Sequence, residues 1–451
     1  MPLVDRDLSA IFKAYDVRGH YPAELDSDVA GRIGSSFARF VDSDRVVVGR
    51  DMRVSSPELA VAFIDGVTGE GSDVVDVGLV STDALYFASG RLEVPGAMFT
   101  ASHNPPEYNG LKLCKARAEP IGVESGLVEI REGAESREGT KSKGGGSVEQ
   151  LDVIEDYAAH CRSLIDVDAL TFLKVAIDAG NGMAGKTAPV CFGPLPFEIE
   201  PLYFELDGTF PNHLANPIEP DNIVDLRKLV AETSCDVGIA FDGDADRMFL
   251  VDDSGDPVSP SITTALVAER MLKKYPGEKI IYNLICSWTV PEVIKENGGE
   301  PVRTRVGHSY IKKVMAETGA VFGGEHSGHY YFRDNFRADS GMIAALLVLE
   351  AMSEARVPLS ELIVPFQRYH ASGEINSKVD DQEGMLEKLA FTYDDGNQDR
   401  TDGLTVEYED WWFNCRASNT EPLLRLNLEA RTEQMKDDKT GEVLGVIRGE
   451  S

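Results

Sequence analysis

Val237-Gly238-Ile239-Ala240-Phe241-Asp242-Gly243-Asp244-Ala245-Asp246-Arg247 is a short apolar run that passes straight into three carboxylates at alternate positions. Its first half has the unbroken apolar character of a strand buried on both faces, and its second half has the small, polar composition of a loop. The junction recurs twice. Ala97-Met98-Phe99 enters Thr100-Ala101-Ser102, and Phe322 enters Gly323-Gly324-Glu325. Open α/β sheets place ligands at such strand ends. Three of them hint at a threefold repeat of α/β units.

The length agrees. At 451 residues the chain exceeds one core, and a prior of about 100 to 200 residues per domain predicts three or four. Strands over 45–49, 73–77 and 96–99 alternate with helical periods, one of them from about residue 57, which predicts βαβ units with mixed or parallel sheets. The Gly-, Ser-, Lys- and Glu-rich stretch 131–147 reads as a long exposed loop near a boundary. A second unit starts with a strand over 173–178. A third follows residue 253, with helices over 263–274 and 290–296 and a strand over 279–282. Beyond a helix over 340–354, separated strands over 404–408 and 423–428 predict a smaller α+β domain. The expected boundaries are 1–147, 148–252, 253–367 and 368–451.

With 76 acidic against 44 basic residues and a formal net charge of −32, the surface repels nucleic acid and anionic membranes. Such a balance fits a high solubility demand or a salty cytoplasm, and it means that an anionic substrate needs a local cationic cluster. The six cysteines, Cys114, Cys161, Cys191, Cys235, Cys286 and Cys415, form no C-x-x-C pair. They predict free thiols in a reducing compartment. No basic-then-apolar leader and no apolar run near 18 residues occurs, so a cytoplasmic location is expected.

Carboxylates as close as Asp242, Asp244 and Asp246 call for a cation, and all-oxygen donors favour a hard one such as Mg²⁺. A calcium EF-hand has similar spacing. Here Arg247 takes the place of its glycine, Asp253 that of its bidentate Glu, and a strand precedes the loop instead of a helix. Around Ser102 the chain reads Thr100-Ala101-Ser102-His103-Asn104-Pro105-Pro106, a hydroxyl beside an imidazole with prolines restricting the backbone that follows. Glu325 and Ser327 offer a carboxylate and a hydroxyl that suit two neighbouring sugar hydroxyls. His308 is a further candidate contact. Arg416, Ser418, Asn419 and Thr420, with Arg425 close behind, gather the donors that grip a phosphate. Near the start, Tyr15 and Arg18 precede a glycine turn.

One stretch points elsewhere. Gly180-Asn181-Gly182-Met183-Ala184-Gly185-Lys186-Thr187 satisfies the G-x-x-x-x-G-K-[ST] phosphate-loop pattern after a strand, so a nucleotidase is the rival from another class. It leaves Ser102, Glu325 and the cluster at Arg416 without a role. A non-catalytic sugar-phosphate sensor is a third reading, and it would need neither Ser102 nor the acidic loop.

Together, residues 15–19, 100–112, 242–247, 324–329 and 416–420 resemble, in order, the motifs of the α-D-phosphohexomutase family, most closely its phosphomannomutase/phosphoglucomutase branch. The resemblance implies four domains around a central cleft, three similar α/β domains with mixed sheets and a smaller α+β domain, each contributing one loop. It implies that Ser102 is carried as a phosphoserine which completes a Mg²⁺ site with Asp242, Asp244 and Asp246. It further implies reversible conversion of mannose 6-phosphate to mannose 1-phosphate through a hexose 1,6-bisphosphate, which also acts as activator. Glucose and glucosamine phosphates are the alternative substrates.

By the same resemblance Glu325 and Ser327 hold the sugar. Tyr15, Arg18, His308, Arg416, Ser418, Asn419, Thr420 and Arg425 complete the substrate contacts. Lys112 and Arg247 face the transferring group, and His103, Lys112, His329 and Arg18 are the candidate general acid and base. The chain departs from the branch at 283–287, where a Lys is common and none occurs, with Arg303 or Arg305 as candidate substitutes. The charged stretch 432–451 shows no helical stripe before Val443-Leu444-Gly445-Val446-Ile447.

Overall fold

The computed structural model describes residues 7–136, 145–417 and 423–449. The strand that feeds each of the three loops has the same neighbours in its own sheet. Gly96–Phe99 lies between antiparallel Tyr108–Lys115 and parallel Arg45–Arg50, whose far side pairs parallel with Asp73–Leu79. Val237–Phe241 lies between antiparallel Met248–Asp252 and parallel Leu173–Asp178, followed by parallel Phe197–Leu202. Phe322–Gly324 lies between antiparallel Tyr330–Phe332 and parallel Lys279–Asn283, followed by parallel Glu300–Thr304. The threefold hint in the sequence is therefore a repeat of topology, and each sheet is mixed because a tight return follows the functional loop while helical crossovers make the parallel pairs.

Arg45–Arg50 and Val237–Phe241 are buried along almost their whole length, as unbroken apolar strands covered by helices on both faces must be. Helix Gly341–Ala355, apolar on nearly every side, sits in a continuous core that includes Val47, Ile177, Val237, Phe322 and Met342 from all three units. Each fully buried aliphatic or aromatic side chain there contributes about 1.5–3 kcal/mol. The fourth unit is separate. Its five-stranded antiparallel sheet packs on helices Gln382–Thr392 and Glu433–Arg448 around its own core of Leu389, Trp411, Phe413, Leu426, Val443 and Ile447.

Four expectations need correction. Strand Val148–Gln150, set at the start of the second unit, extends the first sheet by pairing with Val74 to Asp76. Pro257–Val258, set in the third unit, pairs with Leu250 and Val251 of the second sheet. Turn composition does not reveal such edge pairings, because they are made by backbone alone. Helix Leu127–Ser136 occupies the first part of the predicted loop, with Leu127, Ile130 and Ala134 buried at helical spacing; residues 137–144 lie outside the described ones. The charged C-terminal stretch is a single helix, Glu433–Arg448, capped by Thr432 accepting from Met435 N–H, and Val443 and Ile447 suffice to seat it. The six cysteines are free and buried.

Candidate active site

Ser102 sits just past the end of its strand in the left-handed backbone region (φ 49°) and is almost fully buried. Its N–H donates to Thr100 Oγ1 at 2.8 Å, an ST-type turn that aims the side chain across to the second unit. Ser102 Oγ donates to Asp242 Oδ2 at 2.7 Å and lies 3.3 Å from His103 Nδ1. Burial, with the charges of Arg247 and Arg18, pushes the His103 imidazole well below its usual range, so that ring is neutral.

In the acidic loop the Ala245 N–H donates to the Asp242 carbonyl, and this turn with alternate spacing brings carboxylate oxygens of Asp242, Asp244 and Asp246 within 4.8 Å of one another. All three are buried. Lys112 Nζ donates to Asp244 at 2.7 Å and also to Asp246, while Arg247 Nε donates to Asp242 at 2.8 Å. Burial opposes the Asp244 anion, but Lys112 and the Thr82 hydroxyl hold its carboxyl below the usual carboxylate range. Asp246 is pushed up to about 7 by burial and by the Asp244 charge beside it. Burial also opposes the Lys112 ammonium, but the same two carboxylates drive it well above its ordinary value. Asp244 Oδ1 and Asp246 Oδ1 are buried without a hydrogen-bond partner. Orphaned carboxylate oxygens fit a hard cation, which Asp242, Asp244, Asp246 and Ser102 would hold.

Arg247 pairs in a short bridge with His329, so the acidic loop and the sugar loop share backbone contact. His329 Nδ1 lies 2.8 Å from Asp339 Oδ2 and 3.8 Å from Asp246 Oδ1. Burial opposes the charged ring, but those two carboxylates raise it above its ordinary value. Asp339 in turn lies 2.8 Å from Lys312 Nζ, an almost wholly buried ammonium 4.1 Å from the Tyr86 ring centre. Glu325 accepts from the Tyr331 hydroxyl at 2.7 Å, the Gly307 N–H at 3.1 Å and Asn283 Nδ2 at 3.4 Å, which leaves little freedom in the carboxylate's orientation. Ser327 shares that turn, where the Gly328 N–H donates to the Glu325 carbonyl.

Arg18 Nη1 donates to the Ala101 carbonyl at 2.8 Å and to Asn104 Oδ1. Tyr15 reaches the third unit, since a Cβ on Gly307 would lie 2.6 Å from its hydroxyl. Arg416 and Arg425 share Glu374, at 2.9 and 3.3 Å. Ser418, Asn419 and Thr420 and the side chain of His308 lie outside the described residues. Of the two candidate substitutes for the missing Lys, Arg303 is tied to Asp399 and Glu407 of the fourth unit, at 3.5 and 3.0 Å, and Arg305 stacks over Tyr310. Thr82, Asn283, Tyr331, Lys312 and Asp339 were missed by sequence reasoning. No motif flags them, because they act from neighbouring segments outside the functional loops.

The phosphate-loop match is geometrically empty. Its amides are consumed locally: Gly180 N–H by Asp178 Oδ1, Asn181 by the Tyr203 carbonyl, Gly182 by Ala179 and Met183 by the Gly243 carbonyl at 2.9 Å. Those of Gly185, Lys186 and Thr187 turn back onto Gly182 and Met183, and Lys186 Nζ donates to the Leu79 carbonyl at 2.7 Å. A nest that cradles phosphate needs those amides free.

The four-unit architecture and the three strand-end loops define a phosphohexomutase-type protein. The phosphoglucomutase/phosphomannomutase alpha/beta/alpha domains I, II and III match residues 9–138, 155–255 and 259–369, and the C-terminal domain of that family matches 374–441. The chain is 39% identical to the "Phosphohexose mutases" of Xanthomonas campestris pv. campestris over 97% of its length and 99% of theirs. It is 38% identical to an Escherichia coli phosphomannomutase (97% and 99%) and 36% identical to one from Methanocaldococcus jannaschii (97% and 97%). Among solved structures, a phosphoglucomutase/phosphomannomutase family protein from Burkholderia thailandensis superimposes with a TM-score of 0.89 at 35% identity, covering 98% of each chain. The chain belongs to the phosphoglucomutase/phosphomannomutase family.

Proposed function

We propose that the protein is a phosphomannomutase that interconverts mannose 6-phosphate and mannose 1-phosphate, with glucose phosphates as a second substrate class of the same site. The observation that carries this reading is Ser102 Oγ held 2.7 Å from Asp242 inside the buried carboxylate cluster, in a chain whose relatives at 36–39% identity are phosphohexose mutases and phosphomannomutases. The working enzyme carries phosphate on Ser102. The free hydroxyl of a hexose phosphate attacks that phosphorus, the P–Oγ bond of Ser102 breaks, and the hydroxyl proton passes to a base. The resulting hexose 1,6-bisphosphate, also the activator, turns over and returns its other phosphoryl group to Ser102. Mg²⁺, held by Asp242, Asp244, Asp246 and a phosphoserine oxygen, would neutralise charge on the transferring group.

Lys112, paired with Asp244 and Asp246, and Arg247, paired with Asp242, would take up phosphoryl charge as it develops. His329 is favoured as the proton carrier, because Asp339 occupies its Nδ1 and leaves Nε2 for the sugar hydroxyl. Glu325 and Ser327 would orient the sugar, and Tyr15, Arg18 and His308 would complete the substrate contacts. Arg416 and Arg425, with Ser418, Asn419 and Thr420, take the phosphate that is not reacting. Nucleic acid and membrane are not partners in this reading, given a net charge of −32. Among the described residues no helix is long and apolar enough to cross a membrane, and the free buried thiols fit the cytoplasm.

The test is peptide mass spectrometry before and after incubation with mannose or glucose 1,6-bisphosphate and Mg²⁺. An added phosphomonoester mass of about 80 Da on Ser102, removed by hexose phosphate, is expected. A folded protein that never gains it refutes the reading. Relative kcat/KM on mannose, glucose and glucosamine phosphates assigns the preferred sugar.

A further inference from the structure

Gly49-Arg50-Asp51-Met52-Arg53 leaves strand Arg45–Arg50, the parallel neighbour of the strand that feeds Ser102, and no motif in the sequence singles it out. Arg53 is wholly buried, and its guanidinium is surrounded by the Ser102 loop. Nη2 donates to the carbonyls of Ser102 at 2.8 Å and Asn104 at 2.6 Å; Nη1 donates to those of Pro105 at 2.8 Å and Tyr108 at 3.0 Å. Asp51, itself buried, lies 3.3 Å from Nε and accepts from the Arg53 N–H and from Ser56 Oγ. The ring of Phe210, from the second unit, covers the guanidinium at 5.2 Å.

The loop is composed for this arrangement. In a trans peptide the carbonyl and the following N–H point in opposite directions, so a carbonyl turned inward forces the next amide outward. After Asn104 and Pro105 the next residues are Pro105 and Pro106, which have no N–H to leave unpaired. After Ser102 the outward amide is that of His103. A planar guanidinium with five donors in a rigid fork can hold four carbonyls along one loop; an ammonium, a compact point charge, cannot. Burying an isolated cation is costly unless it is paired and hydrogen-bonded; here Asp51 supplies the pairing and the hydrogen bonds are spent on the backbone of one loop.

We propose that Arg53 is a positioning residue for phosphoryl transfer. It touches no substrate, and by fixing the carbonyls of Ser102, Asn104, Pro105 and Tyr108 it holds Ser102 in its left-handed conformation with Oγ against the acidic loop. Arg18 clamps the same loop from another side through the Ala101 carbonyl and the Asn104 side chain. The inference rests on the mutase reading above.

The experiment uses the full chain carrying Arg53→Lys and, separately, the double change Asp51→Asn with Arg53→Gln, which removes both buried charges together and strands neither. Ser102 phosphorylation by glucose 1,6-bisphosphate is followed by mass, and kcat and KM are measured well below each variant's Tm. An ångström of misplacement at a reacting group costs about 100-fold. The expected result is a kcat and a Ser102 phosphorylation rate lowered by about that factor, with KM within about threefold, since the non-reacting phosphate is held by the fourth unit. Lysine is expected not to rescue. A merely structural role would lower Tm and leave kcat alone. Folded variants with parental kcat, in an assay where the parent takes phosphate on Ser102, overturn the inference by itself. A parent that takes none overturns the mutase reading, and this inference with it.

Discussion

Gly243→Ala tests how closely the two catalytic loops must approach. Gly243 is not among the positive-φ glycines, so the substitution adds no left-handed strain. It adds a Cβ that would lie 2.4 Å from the Ser102 carbonyl oxygen. Carbon-to-oxygen contacts in proteins close to about 3.3 Å, so the loops must part by about 0.9 Å. Gly243 cannot retreat, because its carbonyl accepts from the Met183 N–H at 2.9 Å and Gly182 packs behind it. The displacement therefore falls on Ser102 and its 2.7 Å hydrogen bond to Asp242. A shift near 1 Å at the reacting group predicts a loss of about 100-fold in kcat with KM little changed, and overpacking predicts a stability loss of about 1–3 kcal/mol. Steady-state turnover of mannose 1-phosphate, beside a thermal melt, measures both. A folded variant with kcat within about threefold of the parent would refute the close-approach argument.

Lys186→Ala, in the phosphate-loop look-alike, is expected to leave turnover within about threefold and to cost about 1 kcal/mol through the lost bond to the Leu79 carbonyl, with no nucleotide binding by calorimetry in parent or variant. Burial opposes the charged His213 ring, but Asp178, 3.0 Å away, outweighs it and raises the imidazole above its ordinary 6.5. That stabilisation is complete below the unfolded value and is lost as pH rises through the folded one, so His213→Asn should destabilise more near pH 5.5 than near pH 8.5 in urea titrations, and equal losses would count against it. A net charge of −32 predicts that Tm climbs by several degrees as KCl rises from about 0.05 to 1 M and the Debye length shrinks toward about 3 Å; a flat or falling Tm contradicts self-repulsion as a limit on stability.

What the sequence by itself determined is local. An apolar strand must be buried and a small polar loop must follow it, so Phe99, Phe241 and Phe322 marked the three loop positions, and the alternate spacing of Asp242, Asp244 and Asp246 marked a cluster of carboxylates before any fold was known. The tertiary structure decided whatever depends on where backbone groups find partners. The look-alike loop 180–187 has the right letters, yet the amides of Gly180, Asn181, Gly182, Met183, Gly185, Lys186 and Thr187 are already used. Arg303 has the right charge, yet two carboxylates of the fourth unit hold it. Val148–Gln150 changed domain because sheet edges are joined through main-chain hydrogen bonds that composition does not encode. Arg53, Lys312 and Asp339 stayed invisible for the same reason: their partners lie far along the chain, and only packing brings a buried charge and the groups that satisfy it to one place.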